Sequence, residues 1–145
     1  MIEKALFIIK PDGWNQREQI KIDISNHFEL LETRLLQFCP DLLAKLYPSD
    51  VGQPHYSALI EYMLETQCEL GIIEGDSAVL RFYELAGKFS NPKECAKDTL
   101  RYTYGKGLDT TTNGLYIVKN AIHRAKSRKE LEYELDLFKI EGIIQ

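Results

Sequence analysis

Four short apolar runs limit what this chain can fold into: KALFIIK, LLETRLLQF, CELGIIEG and GLYIVK. Each has strand length, and they alternate with segments whose apolar residues recur every three or four positions, the period of a helix. A few short strands separated by helical stripes must bury their apolar faces on one another, which predicts an α+β sandwich with one small sheet. A flavodoxin-like parallel sheet is the competing arrangement.

The first run covers Lys4 to Lys10 and is stopped by the turn sequence PDG, which leaves Lys10 at a strand end. From Gln16 to Glu29, Ile20, Ile24 and Phe28 make the inner stripe of a helix. CPDLLAKLY predicts a short helix with Pro40 in its first turn and Leu42, Leu43 and Leu46 on one face. A longer helix from about Pro54 to Thr66 carries Tyr56, Leu59, Ile60 and Met63. Asp76 or Ser77 is placed to cap the next helix, whose apolar face is read as Val79, Leu80, Tyr83 and Ala86 and which Gly87 stops. Lys88 to Asn113 then forms a long connection with one short helix near Glu94, and connections of that length are usually functional or mobile. GLYIVK is the fourth strand. In SRKE beyond it, Ser127 and Glu130 have the spacing of a capping box, opening a helix that continues through Leu131, Leu135 and Phe138.

A chain of 145 residues has enough length for one core, so residues 1–145 are read as a single domain. Eighteen basic residues against twenty-two acidic ones give a net charge of −4, which supplies no general attraction to nucleic acid or an anionic membrane. Cys39, Cys68 and Cys95 are odd in number and widely spaced, which argues against a disulfide framework and a zinc site. No apolar stretch approaches the ~20 residues of a membrane span, and the expected location is cytoplasmic.

His123 lies between the fourth strand and the last helix. Helix amides favour an anion there, and an imidazole is nucleophilic near neutral pH. Taken alone, it reads more readily as a surface loop histidine. Lys10 has the same ambiguity between a solvated strand end and a ligand-facing cation. Lys106, in GKGLD, does not fit the P-loop pattern and reads as a loop lysine.

The segments FIIKPDG, LYPSDVGQPHYSALIEYM, IIEGDSAV, SNPKECAKDTLRYTYG and NAIH, followed by ELEYEL, stand in the order and spacing of nucleoside diphosphate kinases. From about Glu3 to Phe138 the chain resembles that family. The resemblance implies a ferredoxin-like sandwich, a four-stranded antiparallel sheet with helices packed on one face and extra helices carrying the site. It implies transfer of the terminal phosphate of ATP to a nucleoside diphosphate, making NTPs and dNTPs by a ping-pong route through a phosphohistidine. His123 matches the phosphorylated residue and Glu134 the carboxylate that orients it. Lys10, Tyr47 and Arg101 match the groups around the transferred phosphate. Asn120, with Lys10, matches the sugar-hydroxyl contact, Ser90 a phosphate-binding hydroxyl, and His55 the platform for the base. Magnesium is expected to be held by nucleotide phosphates and water, with no metal ligand from the protein. The implied partners are nucleoside tri- and diphosphates and further copies of the chain, as a tetramer or hexamer. Nucleic acid and membrane are not expected as partners.

Several positions depart from the family. HRAKS stands where H-G-S-D-S is usual, so Arg124 replaces glycine, Ala125 removes a hydroxyl and Lys126 replaces an acid. His55 replaces phenylalanine, and Tyr83 falls where the helix after EGD usually has a phosphate-binding arginine, with Arg81 on another face. The connection from Arg101 to Asn120 is several residues longer than usual. These changes define the alternative reading, a nucleotide-binding or regulatory module of the same fold with weakened catalysis.

Overall fold

The computed structural model describes residues 1–145. Strands β1 (Ile2–Ile9), β2 (Glu29–Leu36), β3 (Cys68–Asp76) and β6 (Ile122–Arg124) form one sheet in the order β2-β3-β1-β6. Every pairing is antiparallel, which excludes the flavodoxin-like arrangement and gives the expected ferredoxin-like sheet. A separate two-stranded hairpin joins β4 (Gly107–Thr110) to β5 (Tyr116–Lys119).

Strand side chains alternate between the two faces, and both faces are apolar, so both must be covered. Leu6, Ile8, Leu70 and Ile72 pack against α2 (Pro40–Leu46), α3 (Tyr56–Met63) and α6 (Arg128–Ile140). Ala5, Phe7, Ile9 and Ile73 pack against α1 (Arg17–Ser25), α4 (Ala78–Ala86) and α5 (Leu100–Tyr104). Helices therefore cover both faces, not one as expected. Phe7 is fully buried across Gly71, where a Cβ would stand 2.2 Å from its ring, so that strand position has room only for glycine.

Several elements differ from expectation. GLYIVK does not enter the main sheet: its last four residues are β5 of the hairpin, and the fourth place is taken by β6, which carries His123 itself. The long connection is largely structured, with a 3-10 turn at Pro92–Glu94, then α5, then β4. On α4 the buried residues are Ala78, Phe82 and Ala86, whereas Leu80 is 60% exposed, so the inward face lies beside the predicted one. On α3 the buried set includes Ala58 and Tyr62. Ser77 occupies the α4 N-cap position without a side-chain bond, and the Glu3 carboxylate accepts from the Val79 amide instead. At α6 the Ser127 hydroxyl accepts from the Glu130 amide at 3.2 Å, while the Glu130 carboxylate reaches past it to the Lys126 amide at 3.4 Å. Gly87 ends α4 with φ 124°, as its position predicts.

Candidate active site

The site begins where β1 ends. Lys10 leads into a 3-10 turn at Pro11–Gln16, and its amide donates to the Ala121 carbonyl at 2.8 Å, tying the end of β1 to the turn before β6. Ala121 has φ 67°, a conformation that costs a non-glycine residue free energy and persists only where its surroundings enforce it. Asp12 does so: its carboxylate accepts from the Ala121 amide at 3.0 and 3.2 Å, from the Lys106 amide at 3.1 Å, and from the Tyr62 hydroxyl. The PDG sequence read as a turn thus also supplies the brace for the residues ahead of His123.

β6 is an edge strand, and its register against β1 decides which way each side chain projects. His123 is opposite Ile8, so its ring faces the α2, α3 and α6 side. Glu134 on α6 meets it there: His123 Nε2 lies 2.8 Å from Glu134 Oε2. An ionised carboxylate only accepts, so this contact assigns a proton to Nε2, and in the neutral ring Nδ1 is then the acceptor. The Tyr47 hydroxyl lies 3.3 Å from Nδ1 with its ring edge-on to the imidazole, and burial pushes the Tyr47 phenol well above its ordinary range. Tyr47 is therefore a donor at neutral pH. Glu134 is 2% exposed, and its second oxygen, Oε1, has no protein partner.

Cations form the opposite wall. Lys10 Nζ donates to Asn120 Oδ1 at 2.8 Å, and Asn120 Nδ2 donates to the Ser90 carbonyl at 3.1 Å. Burial, then the Arg101 guanidinium, lower the Lys10 ammonium to about 7. Arg101 donates through Nε and Nη2 to the Ile122 carbonyl and through Nη1 to the carbonyls of Gly87 and Phe89. Burial, then Arg124, lower it to about 10. Arg124 lies in β6 with negative φ, so exchanging glycine for arginine costs no backbone strain.

These groups surround a cleft of about 590 Å³. Of the expected residues, Lys10, Tyr47, Ser90, Arg101, Asn120, His123 and Glu134 all line it. His55 does not: it is exposed, its Nε2 is 2.6 Å from Asp50 Oδ1, and it stands outside the cleft that Asp50 lines. Arg81 is turned away onto the Phe28 ring and the carbonyls of Asp76 and His27, and Lys106 pairs with Asp109. Sequence reasoning missed Asp12 and Tyr62, because an aspartate inside PDG reads as turn chemistry and a tyrosine off the predicted stripe reads as surface. No three His, Cys, Asp or Glu side chains converge as a metal-binding group, and no helix is long and apolar enough to cross a membrane.

The nucleoside diphosphate kinase from Campylobacter fetus is 30% identical over 140 residues, covering 94% of this chain and 95% of its own length. Among solved structures, the Aquifex aeolicus nucleoside diphosphate kinase superposes with a TM-score of 0.76 at 24% identity, covering 95% of each chain. The enzyme from Encephalitozoon cuniculi, in its apo form, gives 0.78 at 22% identity over 99% of this chain and 92% of its own. The family model described as nucleoside diphosphate kinase matches residues 3–141. With that match spanning nearly its whole length, the chain belongs to the nucleoside diphosphate kinase family of enzymes.

Proposed function

We propose that the chain transfers the terminal phosphate of a nucleoside triphosphate, ATP, to a nucleoside diphosphate in two half-reactions through phosphorylated His123. The observation that carries this reading is the division of labour on one imidazole: Nε2 is anchored to buried Glu134, while Nδ1 keeps its lone pair beside a cleft lined by cations. Nδ1 attacks the γ-phosphorus in line. The bond to the β–γ bridging oxygen breaks, the diphosphate leaves with that electron pair, and the imidazole carries the phosphate. The charge that develops on the ring is offset by Glu134. A second diphosphate then attacks the phosphorus and regenerates Nδ1.

The phosphoryl group in flight spreads negative charge over its equatorial oxygens, and fixed positive groups lower the energy of that state without reorganising. Lys10 and Arg101 supply the charge, and the Tyr47 hydroxyl supplies a neutral donor next to Nδ1. Asn120 is held between Lys10 and the Ser90 carbonyl, which suits it to fix a sugar hydroxyl together with Lys10. The donors on these walls fit phosphate oxygens rather than a metal, so a magnesium ion would be held by the nucleotide's own phosphates and by water. When bound, it neutralises part of the phosphate charge.

The test is incubation with γ-labelled ATP and magnesium, followed by a GDP chase. The expected result is an acid-labile, base-stable label on His123 that leaves with GDP. His123→Ala should take no label while binding ADP within a few-fold of the parent. Exchange that persists in this variant would remove His123 from the mechanism.

A further inference from the structure

Arg124 has no counterpart in the roles assigned so far, and its surroundings are unusual for an arginine. It is 5% exposed, yet its donors go only to main-chain carbonyls: Nε and Nη2 to Gly87 at 3.2 and 3.0 Å, and Nη2 to Lys88 at 3.3 Å. A buried guanidinium ordinarily has a carboxylate partner. Here its near neighbour is a second guanidinium, Arg101, which shares the Gly87 carbonyl and is likewise held only by carbonyls. Glu130 and Glu134 act on Arg124 only through space and neither guanidinium bonds a carboxylate, so two like charges set side by side are costly unless an anion completes the group.

Geometry gives Arg124 access to that anion. Opposite Phe7, it projects to the α4 side of the sheet, away from the His123 ring. Because β6 is the edge strand, its long side chain can still reach round to the cleft, which it lines together with His123 and Arg101. The guanidinium carbon lies 4.4 Å from the centre of the Tyr83 ring, a flat platform that fixes the plane of the fork. Nη1 has no protein acceptor and is not among the atoms sealed from solvent, so two N–H groups remain to receive a ligand. α4 itself contributes no residue to the cleft wall: Tyr83 lies against the Arg124 guanidinium and Arg81 is turned onto Phe28.

We infer that Arg124 is a phosphate-binding residue of this cleft, aimed by Tyr83, which contacts the phosphates of a bound nucleoside di- or triphosphate beyond the first. The inference rests on the nucleotide reading above and assigns the second guanidinium of the site to β6 rather than to α4.

Calorimetric titration of the full chain with ADP and with AMP tests it, alongside labelling by γ-labelled ATP. Arg124→Gln should weaken ADP about 10- to 100-fold, as loss of a charge-assisted pair does, and AMP by less than about threefold. Arg124→Lys should recover part of the ADP affinity, since charge returns without the fork. Equal weakening of ADP and AMP, or an ADP change under about threefold, would overturn the assignment and leave Arg124 as a clamp on the end of α4. If Arg124→Gln does not fold, Tyr83→Leu keeps the charge and removes the platform. It should weaken ADP several-fold and spare AMP, and unchanged ADP binding there overturns the assignment equally. A parent protein that takes label on His123 while Arg124→Gln binds ADP normally sinks only this inference. A parent that neither binds ADP nor takes label sinks the nucleotide reading and this inference with it.

Discussion

Lys10 and Lys119 each expose 6% of their surface, and the fold treats them in opposite ways. At the foot of the β4–β5 hairpin, Lys119 donates to Glu65 at 2.7 Å and pairs with Asp109 at 2.9 Å. Burial opposes its charge, but the two carboxylates more than offset that and hold the ammonium above its ordinary range. In the cleft, Lys10 has only a neutral amide oxygen as its bonded partner and a guanidinium as neighbour, and it falls to about 7. Lys21, on α1, repeats the first pattern with Glu18 and Glu69. A buried cation whose counterion comes from the chain is part of the scaffold. One without such a partner is kept for a ligand, and its destabilisation is stored until the ligand arrives.

The largest expected effect pits these two lysines against each other. Lys10→Met should lower kcat/KM by about 10²- to 10³-fold, the range for a lost transition-state donor, while leaving thermal stability unchanged or higher. Lys119→Met should leave kcat/KM within a few-fold and destabilise the fold by about 1–3 kcal/mol, because Glu65 loses its cation and Asp109 keeps only Lys106. Steady-state kinetics and a melting curve on both variants decide it, and a swap of the two phenotypes would break the distinction. Next in size, Glu134→Gln should reduce kcat about 10- to 100-fold with little change in KM. The amide can accept from Nε2 but does not offset the charge on the phosphorylated ring. An unchanged kcat would make Glu134 a packing residue.

The smallest effect is a matter of protons. Between about 7 and the ordinary lysine value, the unfolded chain holds a proton on Lys10 that the folded chain has released, so this residue's contribution to stability rises with pH through that window. An anion bound beside Lys10 restores its charge. ADP binding at pH 8 should therefore take up a proton, to a maximum of about one, and Lys10→Met should abolish the uptake. Calorimetry in buffers of different ionisation enthalpy reads it directly, and zero uptake in the parent would remove the contrast with Lys119.

How far each element could be read beforehand follows from how local its cause is. β1, β3, the Pro40 helix, the Gly87 stop and the Ser127 cap each rest on residues within a few positions, and each is found where the pattern places it. β6 could not be read, because Ile122-His123-Arg124 has one apolar residue and is a strand only by virtue of its pairing with Phe7, Ile8 and Ile9. The face of α4 was misplaced because Val79, Leu80, Phe82, Tyr83 and Ala86 make a stripe too broad to choose from. Motif order brought seven of the eight expected site residues to the cleft. His55 stands outside that cleft, paired with Asp50, and Arg124 was legible only as a departure, since nothing local foretells that an arginine will be buried.

The three-residue pairing of β6 with β1 has a consequence for fidelity. Neighbours on a strand face opposite ways, so sliding β6 by a single position would exchange the outlooks of His123 and Arg124: a guanidinium would meet Glu134 and an imidazole would lie over Tyr83. Such a molecule would keep most of its sheet and both cores, yet have no nucleophile in the cleft. The Asp12 brace on Ala121 and the Lys10 amide bond to its carbonyl are what fix the frame, acting as a proofreading contact that admits one alignment of the strand and makes folding correctly and being able to react the same event.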